Sequence, residues 1–260
     1  MNIYIYMIVG ILGLVIGSFL NVCIYRVPQK ESISFPRSHC MKCGHVLGPL
    51  ELIPVISYLV LGRKCKQCKQ PISSRYMCIE LLTGIGFWLI YYRYGYSIET
   101  LIVITFFCFA LVLTMIDWDY MLLPTSIIRW GIGIGLMERL AQSLILDNWY
   151  ILVEALLGAI IGYGLFVLVY YGSQWLLKKE GLGYGDVRLM SFIGLFIGLN
   201  YLFLMIVISC IGASIFGLIL LKIRKSSKPY PLGPFLNLGA FIVIIGGNQL
   251  LASYLGLFNL

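Results

Sequence analysis

The stretch Gly181-Leu-Gly-Tyr-Gly-Asp186-Val-Arg188 is a glycine-dense turn that carries one carboxylate and leads into a long apolar run beginning at Val187. A second carboxylate, Asp117, stands at the end of another apolar run, Leu111-Val-Leu-Thr-Met-Ile. An ionisable residue at a membrane span is costly, so it becomes a candidate for function. The two runs predict membrane helices, and we expect the two aspartates to meet on one membrane face.

The composition is that of a membrane protein. Of 260 residues, 60% are hydrophobic and only 12% are charged, whereas about a quarter are charged in ordinary soluble domains. The 28 glycines suit close packing between membrane helices. The net charge of +8 is typical of residues that anchor cytoplasmic loops, and without a basic-aromatic module no nucleic-acid partner is expected. We predict an all-α polytopic membrane protein in contact with lipid.

Eight apolar runs predict about eight transmembrane helices. The first, residues 1–24, has no preceding basic residue and is long enough to span, so we interpret it as a retained span rather than a signal peptide. Seven further runs lie near residues 77–95, 98–116, 124–146, 150–177, 187–200, 202–222 and 232–258. Glu138 and Arg139 are expected to mark the outer end of the run at 124–146.

Residues 25–76 contain nine of the chain's 19 lysines and arginines. By the positive-inside rule this segment is cytoplasmic and the N-terminus lies outside the cell membrane. The same topology puts the connectors 117–123, 178–186 and 223–231 in the cytoplasm, together with both aspartates. Arg224, Lys225 and Lys228 in the last connector agree with it. The apolar residues 52–61 are too few to span, so we expect them on the membrane face or inside a small subdomain.

Four cysteines of this segment form two CxxC pairs, Cys40 with Cys43 and Cys65 with Cys68. Two residues between thiols let both sulfurs turn toward one ion, and two such knuckles complete a tetrahedron of soft ligands that suits zinc. A reducing cytoplasm disfavours disulfides. Four protein ligands leave no open coordination position on the metal. The Zn²⁺ would therefore be structural and would stabilise the subdomain. Neither His39 nor His45 is needed as a ligand.

Two carboxylates that share a proton can hydrolyse a peptide. The ionised member takes a proton from water while the protonated member donates to the carbonyl oxygen. Asp186 opens a span, where the helix macrodipole favours an anion, and Asp117 closes one, where the dipole disfavours it. We therefore hypothesise that Asp186 is ionised and that Asp117 carries the shared proton. The alternative is that both are interfacial loop residues in water.

Other features of the sequence support Asp117 and Asp186 as the pair. On a continuing helix, Asp119 would point to another side than Asp117. Gly181, Gly183 and Gly185 would allow an unusual turn before Asp186 and the close approach of an extended peptide. The chain has no GxSxG elbow and no HExxH motif, so another hydrolytic residue set is not apparent.

Taken in order, the motifs resemble those of the type IV prepilin peptidases over nearly the whole chain. The matching residues are Gly17-Ser-Phe-Leu-Asn21, Tyr25-Arg26, the two CxxC pairs, Leu52-Ile-Pro54, Ser57-Tyr58, Ile72-Ser73-x-Arg75-Tyr76, Glu80, Asp117, Leu123-Pro124, Gly183-x-Gly185-Asp186 and Pro231-Leu-Gly-Pro234-Phe235. The ordered combination is far more specific than any one motif.

The resemblance implies a bifunctional enzyme whose catalytic aspartates are Asp117 and Asp186. Such enzymes cut the short basic leader of type IV prepilins or pseudopilins after a glycine, on the cytoplasmic side. They then methylate the new N-terminal amine with S-adenosylmethionine. The implied division is a first span at 1–24, a zinc-binding and candidate methyltransferase segment at 25–76, and a seven-span GxGD aspartic peptidase core at 77–260. Gly183 and Gly185 would contribute to substrate binding.

The methyl-transfer site has no recognisable motif, since no glycine-rich nucleotide loop follows a strand. Glu51, Arg75 and Tyr76 are candidates for it, with packing or anchoring as the alternative role. Glu80, one turn inside the second span, is expected to face inward or to be functional.

Two positions depart from the family pattern. Thr125 stands where the family often has an aspartate after the proline, and Arg188 stands where a lysine is common two residues after the GxGD aspartate. Arginine keeps the positive charge, so we expect both changes to be tolerated.

Asp117, Asp119, Glu180 and Asp186 would form an acidic patch that attracts a basic leader, while the basic loops contact anionic lipid. Two rival hypotheses stay open at this point. One is a prepilin peptidase that only cleaves, and the other is a non-catalytic zinc scaffold for pilus assembly.

Overall fold

The structure is a computed structural model that describes residues 3–178, 181–224 and 230–257. Within those ranges the regular elements are helices and no strand occurs, apart from isolated β-bridges. This confirms the all-α prediction. In chain order the elements are α1 (Ile3–Arg26), a 3₁₀ turn (Pro49–Leu52), α2 (Ile56–Val60), α3 (Ser74–Tyr94), α4 (Ile98–Tyr120), α5 (Thr125–Ile145), α6 (Tyr150–Leu177), α7 (Tyr184–Ile197), α8 (Leu202–Arg224) and α9 (Gly233–Leu257).

Four of the described helices, α1, α4, α6 and α8, are long and apolar enough to cross a membrane. A shorter apolar stretch, Gly233–Gly247, lies in α9. Helices α3, α5, α7 and α9 coincide with the other predicted runs. The helices indicate a multi-pass membrane protein, and the count of eight spans stays a prediction.

The chain divides into two compact units, Met1–Thr100 and Leu101–Leu260. The first unit holds α1, α2, α3 and the cysteine-bearing segment, while the second holds nearly all of α4 and the helices after it. This boundary differs from the predicted segment borders at residues 24 and 76, because α3 pairs with α1.

Glycines bring α1 and α3 into close contact within the first unit. A Cβ at Gly13 would lie 2.8 Å from the Cα of Gly84, and one at Gly17 would lie 2.8 Å from the Cα of Glu80. Since Gly13 and Gly17 are four residues apart, they share one side of α1. They provide the small-residue surface on which membrane helices approach each other closely.

Helix α7 is the core of the second unit, since most of its side chains are buried. Two helices present glycines to it at the same four-residue spacing. On α5, a Cβ at Gly131 or Gly135 would collide with the rings of Phe192 or Phe196. Such small-xxx-small spacings let a bulky helix sit deep between its neighbours.

Glycines of α6 fix the register between α6 and α7. A Cβ at Gly158 would lie 2.4 Å from the carbonyl oxygen of Gly194, and one at Gly162 would lie 3.1 Å from that of Met190. The pairing is antiparallel, so one further turn places Asp186 level with Phe166. Helix α6 continues to Leu177, roughly 16 Å further along its axis. Asp186 is therefore recessed along α6 rather than level with its end.

The end of α7 also lies inside the helix bundle. Its 14 residues span roughly 21 Å, less than the roughly 30 Å of a hydrocarbon core, so its last carbonyls need protein donors. Arg139 of α5 donates from Nη2 to the carbonyl oxygen of Phe196, and Glu138 accepts from the hydroxyl of Thr105 at 2.7 Å. Both residues lie about two turns before the end of α5 at Ile145 and contact neighbouring helices. The expectation that they mark the outer end of the run stays a prediction.

The glycine contact of α6 generates a prediction. Gly158→Ala should lower the free energy of unfolding by about 1–3 kcal/mol, because the new Cβ would overlap backbone atoms of α7. The matched control is Gly164→Ala on the same helix, where a Cβ meets nothing within 4 Å. Thermal unfolding of the purified protein in detergent compares them, and equal melting temperatures would contradict the packing.

Candidate functional site

Asp117 lies in the last turn of α4 and is only 5% exposed. Its Oδ2 accepts a hydrogen bond of 3.1 Å from the backbone N–H of Gly233, the first residue of α9. A Cβ at Gly233 would lie 2.6 Å from that oxygen. The absence of a side chain at Gly233 therefore lets the carboxylate sit against the N-terminus of α9.

Asp186 lies in the first turn of α7 and is 9% exposed. Its backbone N–H donates to the carbonyl of Gly183 at 3.0 Å, which holds the turn that starts the helix. The carboxyl groups of Asp186 and Asp117 are close enough for the charge on one to act on the other. The structure thus brings the two sequence-predicted aspartates together, buried in one unit.

The position of Asp117 changes the argument about the shared proton. The sequence-based assignment placed Asp186 at a helix N-terminus and Asp117 at a helix C-terminus. In the structure Asp117 also faces a helix N-terminus, that of α9. The macrodipole therefore no longer distinguishes the two aspartates, and the assignment of the proton to Asp117 stays a prediction without that support.

The glycines before Asp186 act through close packing rather than through an unusual turn. Gly183 has φ −73° and ψ 138°, an extended conformation open to any residue. Gly185 is helical, and a Cβ there would lie 3.0 Å from the Cβ of Leu123. A Cβ at Gly183 would lie 3.1 Å from Oδ2 of Asp186. Small residues at both positions keep α7 close to Leu123 and leave room beside the carboxylate.

The two departures from the family pattern are in direct contact. Arg188 donates from Nη1 to the hydroxyl of Thr125, and its guanidinium lies 4.7 Å from the centre of the Tyr184 ring. The pair joins the start of α5 to the second turn of α7. An arginine and a hydroxyl therefore make the contact at the positions where the family often has a lysine and an aspartate.

Asp119 is exposed, whereas Asp117 is buried, so the two point to different sides of α4 as predicted. Glu180, the remaining member of the predicted acidic patch, lies outside the described residues.

The four cysteines of the first unit converge. The sulfurs of Cys40, Cys43, Cys65 and Cys68 all lie within 4.8 Å of one another, with 3.8 Å between Cys40 and Cys68. Metal–sulfur distances of about 2.3 Å in a tetrahedron place sulfurs at about this separation. The donor set fits one tetrahedral metal ion, and zinc itself is a proposal.

The two knuckles share one backbone design. Gly44 and Lys69 have φ of 72° and 58°, and their N–H groups donate to the carbonyls of Cys40 and Cys65 at 2.9 and 3.0 Å. The predicted tight turn at Gly44 is present. Backbone N–H groups of Lys42 and Cys43 lower the pKa of the Cys40 thiol to about 6, which favours the thiolate that binds metals.

Glu51 and His45 connect the first knuckle to the 3₁₀ turn. Glu51 accepts from the N–H of Gly48 at 2.8 Å and lies 3.1 Å from Nε2 of His45. The Gly48 N–H and the imidazole lower the pKa of Glu51. His39 lies 3.0 Å from the carbonyl of Arg37. Among the described residues, the metal-ligand cluster consists of the four cysteines without either histidine.

The remaining predicted residues lie on α3. Arg75 and Tyr76 are in its first turn, and the carbonyl of Tyr76 accepts from Asn21 of α1 at 3.1 Å. Glu80 is buried, as expected for an inward-facing residue, and accepts from the N–H of Val55 at 2.8 Å. Glu51 makes its hydrogen bonds near the knuckle, so these contacts do not join it to the three residues on α3.

Sequence reasoning missed the donors that α9 supplies. Besides Gly233, Asn237 donates from Nδ2 to the carbonyl of Ala110 at 3.2 Å and to the hydroxyl of Thr114 at 3.0 Å. These bonds fasten α9 to α4 in the turns that precede Asp117. The motif Pro231-Leu-Gly-Pro234 was noted in the sequence. That its Gly233 contacts Asp117 cannot be read from the sequence.

Comparison with known proteins identifies similar chains. A model of the type IV leader peptidase family matches residues 104–218, and a model of the bacterial peptidase A24 N-terminal domain matches residues 11–94. Proteins named prepilin leader peptidase/N-methyltransferase are similar over most of their length. The one from Pseudomonas putida is 33% identical, covering 94% of this chain and 91% of its own. That from Aeromonas hydrophila is 34% identical, covering 95% and 93%. No solved structure matches.

The contact between Thr125 and Arg188 predicts energetic coupling. Thr125→Ala and Arg188→Ala should each destabilise the protein, and the double variant should lose less than both together, with a coupling of about 0.5–3 kcal/mol. Thermal unfolding of the four proteins gives this value. Arg129→Ala is the control partner, because Arg129 is exposed on the same helix as Thr125. Equal coupling of Thr125 to Arg129 and to Arg188 would contradict the contact.

Proposed function

The chain belongs to the type IV leader peptidase family, and we propose that it removes the leader of type IV prepilins and then methylates the new N-terminus. The relatives carry both activities in their names and match 94% or more of this chain. This favours the bifunctional enzyme over a peptidase that only cleaves and over a non-catalytic scaffold.

The buried pair of carboxylates is the observation that supports the proposed cleavage reaction. A water between Asp117 and Asp186 would lose a proton to the ionised carboxylate while its oxygen adds to the peptide carbonyl carbon. The protonated carboxylate would donate to the carbonyl oxygen at the same time. The carbon–nitrogen bond then breaks, and the nitrogen leaves as an amine after taking a proton. The burial of both side chains supports this role, because it keeps bulk water from competing.

The depth of Asp186 suits the substrate class. A prepilin has a basic leader followed by an apolar helix, so its cleavage point lies where a polar segment meets the membrane. Asp186 is level with Phe166 rather than with the end of α6 at Leu177. The leader would occupy the space between Asp186 and the end of α6, while the apolar helix stays in lipid. Cleavage after a glycine is the family's pattern, and we extend it to this chain.

Methyl transfer is proposed for the segment 25–76 and the start of α3. S-adenosylmethionine would supply the methyl group, and the acceptor is the amine freed by cleavage. Glu51 and Glu80 already accept backbone hydrogen bonds, from Gly48 and Val55, so anchoring is a sufficient role for both. Arg75 and Tyr76, in the first turn of α3, are the other candidates to contact the methyl donor.

The four-cysteine cluster is proposed to hold one structural Zn²⁺. Four thiolate ligands would fill a tetrahedral coordination sphere, so the metal would stabilise the fold and not bind substrate. With the knuckles joined, the segment 25–76 gains a fixed shape despite its small apolar core.

The proposed topology has eight spans in the cytoplasmic membrane, with the N-terminus outside and both aspartates near the cytoplasmic face. The concentration of lysine and arginine in residues 25–76 supports it. We retain the functional division into a first span at 1–24, the zinc-binding segment at 25–76 and the peptidase core at 77–260.

Substitution of the aspartates tests the cleavage mechanism. Asp117→Asn and Asp186→Asn should each reduce leader removal by about a hundredfold or more, because each change removes a proton-transfer group. Asp119→Asn is the matched control and should cleave at a rate close to that of the unaltered protein. Incubation with a prepilin followed by mass spectrometry measures both the loss of the leader and the added methyl. Full cleavage by either catalytic variant would exclude the proposed pair.

Removal of one cysteine ligand tests the metal site. The purified protein should contain about one zinc per chain, and Cys65→Ser should lose most of it, because a structural site needs all four ligands. Cys78→Ser is the control, since Cys78 lies outside the cluster. Elemental mass spectrometry measures the metal, and unchanged zinc in Cys65→Ser would contradict the site. Methyl transfer by Cys65→Ser should fall more than cleavage, since both aspartates lie in the other unit.

A further inference from the structure

An apolar surface is exposed on the cytoplasmic segment of the first unit. Its six members are Leu50, Leu52, Ile53, Ile56, Leu59 and Val60. Helix α2 is two-sided, because Tyr58 is buried while Val60 is 79% exposed. All six fall within residues 50–60, and exposed apolar side chains grouped in this way mark a place where another molecule or a membrane is contacted.

The position of Val55 gives the depth of this surface. The N–H of Val55 donates to Oε2 of Glu80, and the Cα of Glu80 packs against Gly17 in the middle of α1. From Gly17, helix α1 continues to its end at Arg26, which lies roughly 13 Å further along the helix axis. Measured on α3, Glu80 lies roughly 9 Å from the helix start at Ser74. The turn at Val55 is therefore held by a side chain that starts about two turns inside α3 rather than at the helix end.

The backbone at this depth is built for surroundings without water. Val55 has φ 62° and ψ −52°, a strained conformation for a β-branched residue. The N–H of Ile56 closes a γ-turn on the carbonyl of Pro54 at 2.6 Å. In hydrocarbon an unpaired N–H costs several kcal/mol, and Glu80 pairs the one at Val55.

Basic residues follow the apolar surface directly. Arg63, Lys64, Lys66 and Lys69 are all exposed. Positive side chains next to an in-plane apolar helix are the pattern of segments that lie at an anionic membrane surface. The same charges would repel a basic leader, so they argue against a prepilin as the occupant.

We propose that the surface formed by Leu50, Leu52, Ile53, Ile56, Leu59 and Val60 inserts into the bilayer, with α2 in the membrane plane. The turn at Val55 reaches the edge of the hydrocarbon core, where Glu80 anchors it, and the basic residues after α2 contact anionic headgroups. The proposal thus says what this apolar run, which is too short to span the membrane, contacts. The inference does not depend on the proposed enzymatic activity.

Photo-crosslinking tests this insertion. A benzophenone amino acid replaces Val60 in one full-length protein and Lys66 in another, and both are reconstituted into vesicles of phosphatidylcholine and phosphatidylglycerol. After illumination, mass spectrometry of the peptides should find phospholipid adducts at position 60 at least tenfold above those at position 66. Equal labelling at the two positions would overturn the proposal. Loss of the adduct at position 60 when a prepilin is added, with a protein crosslink in its place, would also overturn it.

The anchor is tested in the protein with benzophenone at position 60. Glu80→Gln keeps an oxygen that can accept from Val55, so lipid labelling should be retained. Glu80→Leu leaves that N–H unpaired, and labelling should fall several-fold if the turn is held at depth by this bond. Zinc content, measured on the same samples, verifies that the segment is folded. Undiminished labelling in a zinc-loaded Glu80→Leu protein would exclude Glu80 as the anchor.

Discussion

The close backbone contact between α6 and α7 is the constraint on which the second unit depends. Gly158 and Gly194 approach so tightly that a methyl group at either position would overlap the other helix. This contact fixes how far α7 slides along α6, and thereby the depth of Asp186. The glycines of α5 add a second surface that accepts the rings of α7. A short helix can then be buried on nearly every side while it carries a carboxylate at its first turn.

Burial of irregular or terminal backbone creates a recurring need for polar partners, and charged side chains meet it at three places. Arg139 donates to the carbonyl of Phe196 at the end of α7. Asp117 accepts from the first N–H of α9, and Glu80 accepts from the turn at Val55. In a membrane, backbone N–H and C=O groups cannot bond to water instead. Charged residues within helical runs therefore also stabilise the fold. Asp117 combines this service with its proposed chemistry.

The two departures from the family pattern, Thr125 and Arg188, form one contact between α5 and α7. A hydroxyl and a guanidinium meet in this contact, at positions where the resemblance leads one to expect an acid and an amine. The longer, planar arginine reaches the smaller partner and also covers the ring of Tyr184.

The sequence by itself determined the helical class, the places of the helices, the four cysteines that converge and the two aspartates proposed for catalysis. These features are local, because hydropathy, CxxC spacing and a carboxylate at the end of an apolar run are set by neighbouring residues. Only the tertiary structure decided that Gly233 faces Asp117 across 116 positions, that Glu80 holds Val55, and that Glu138 and Arg139 lie inside the bundle. Such contacts depend on which helices pack together and in what register, and the spacing of residues along one helix does not specify its partner.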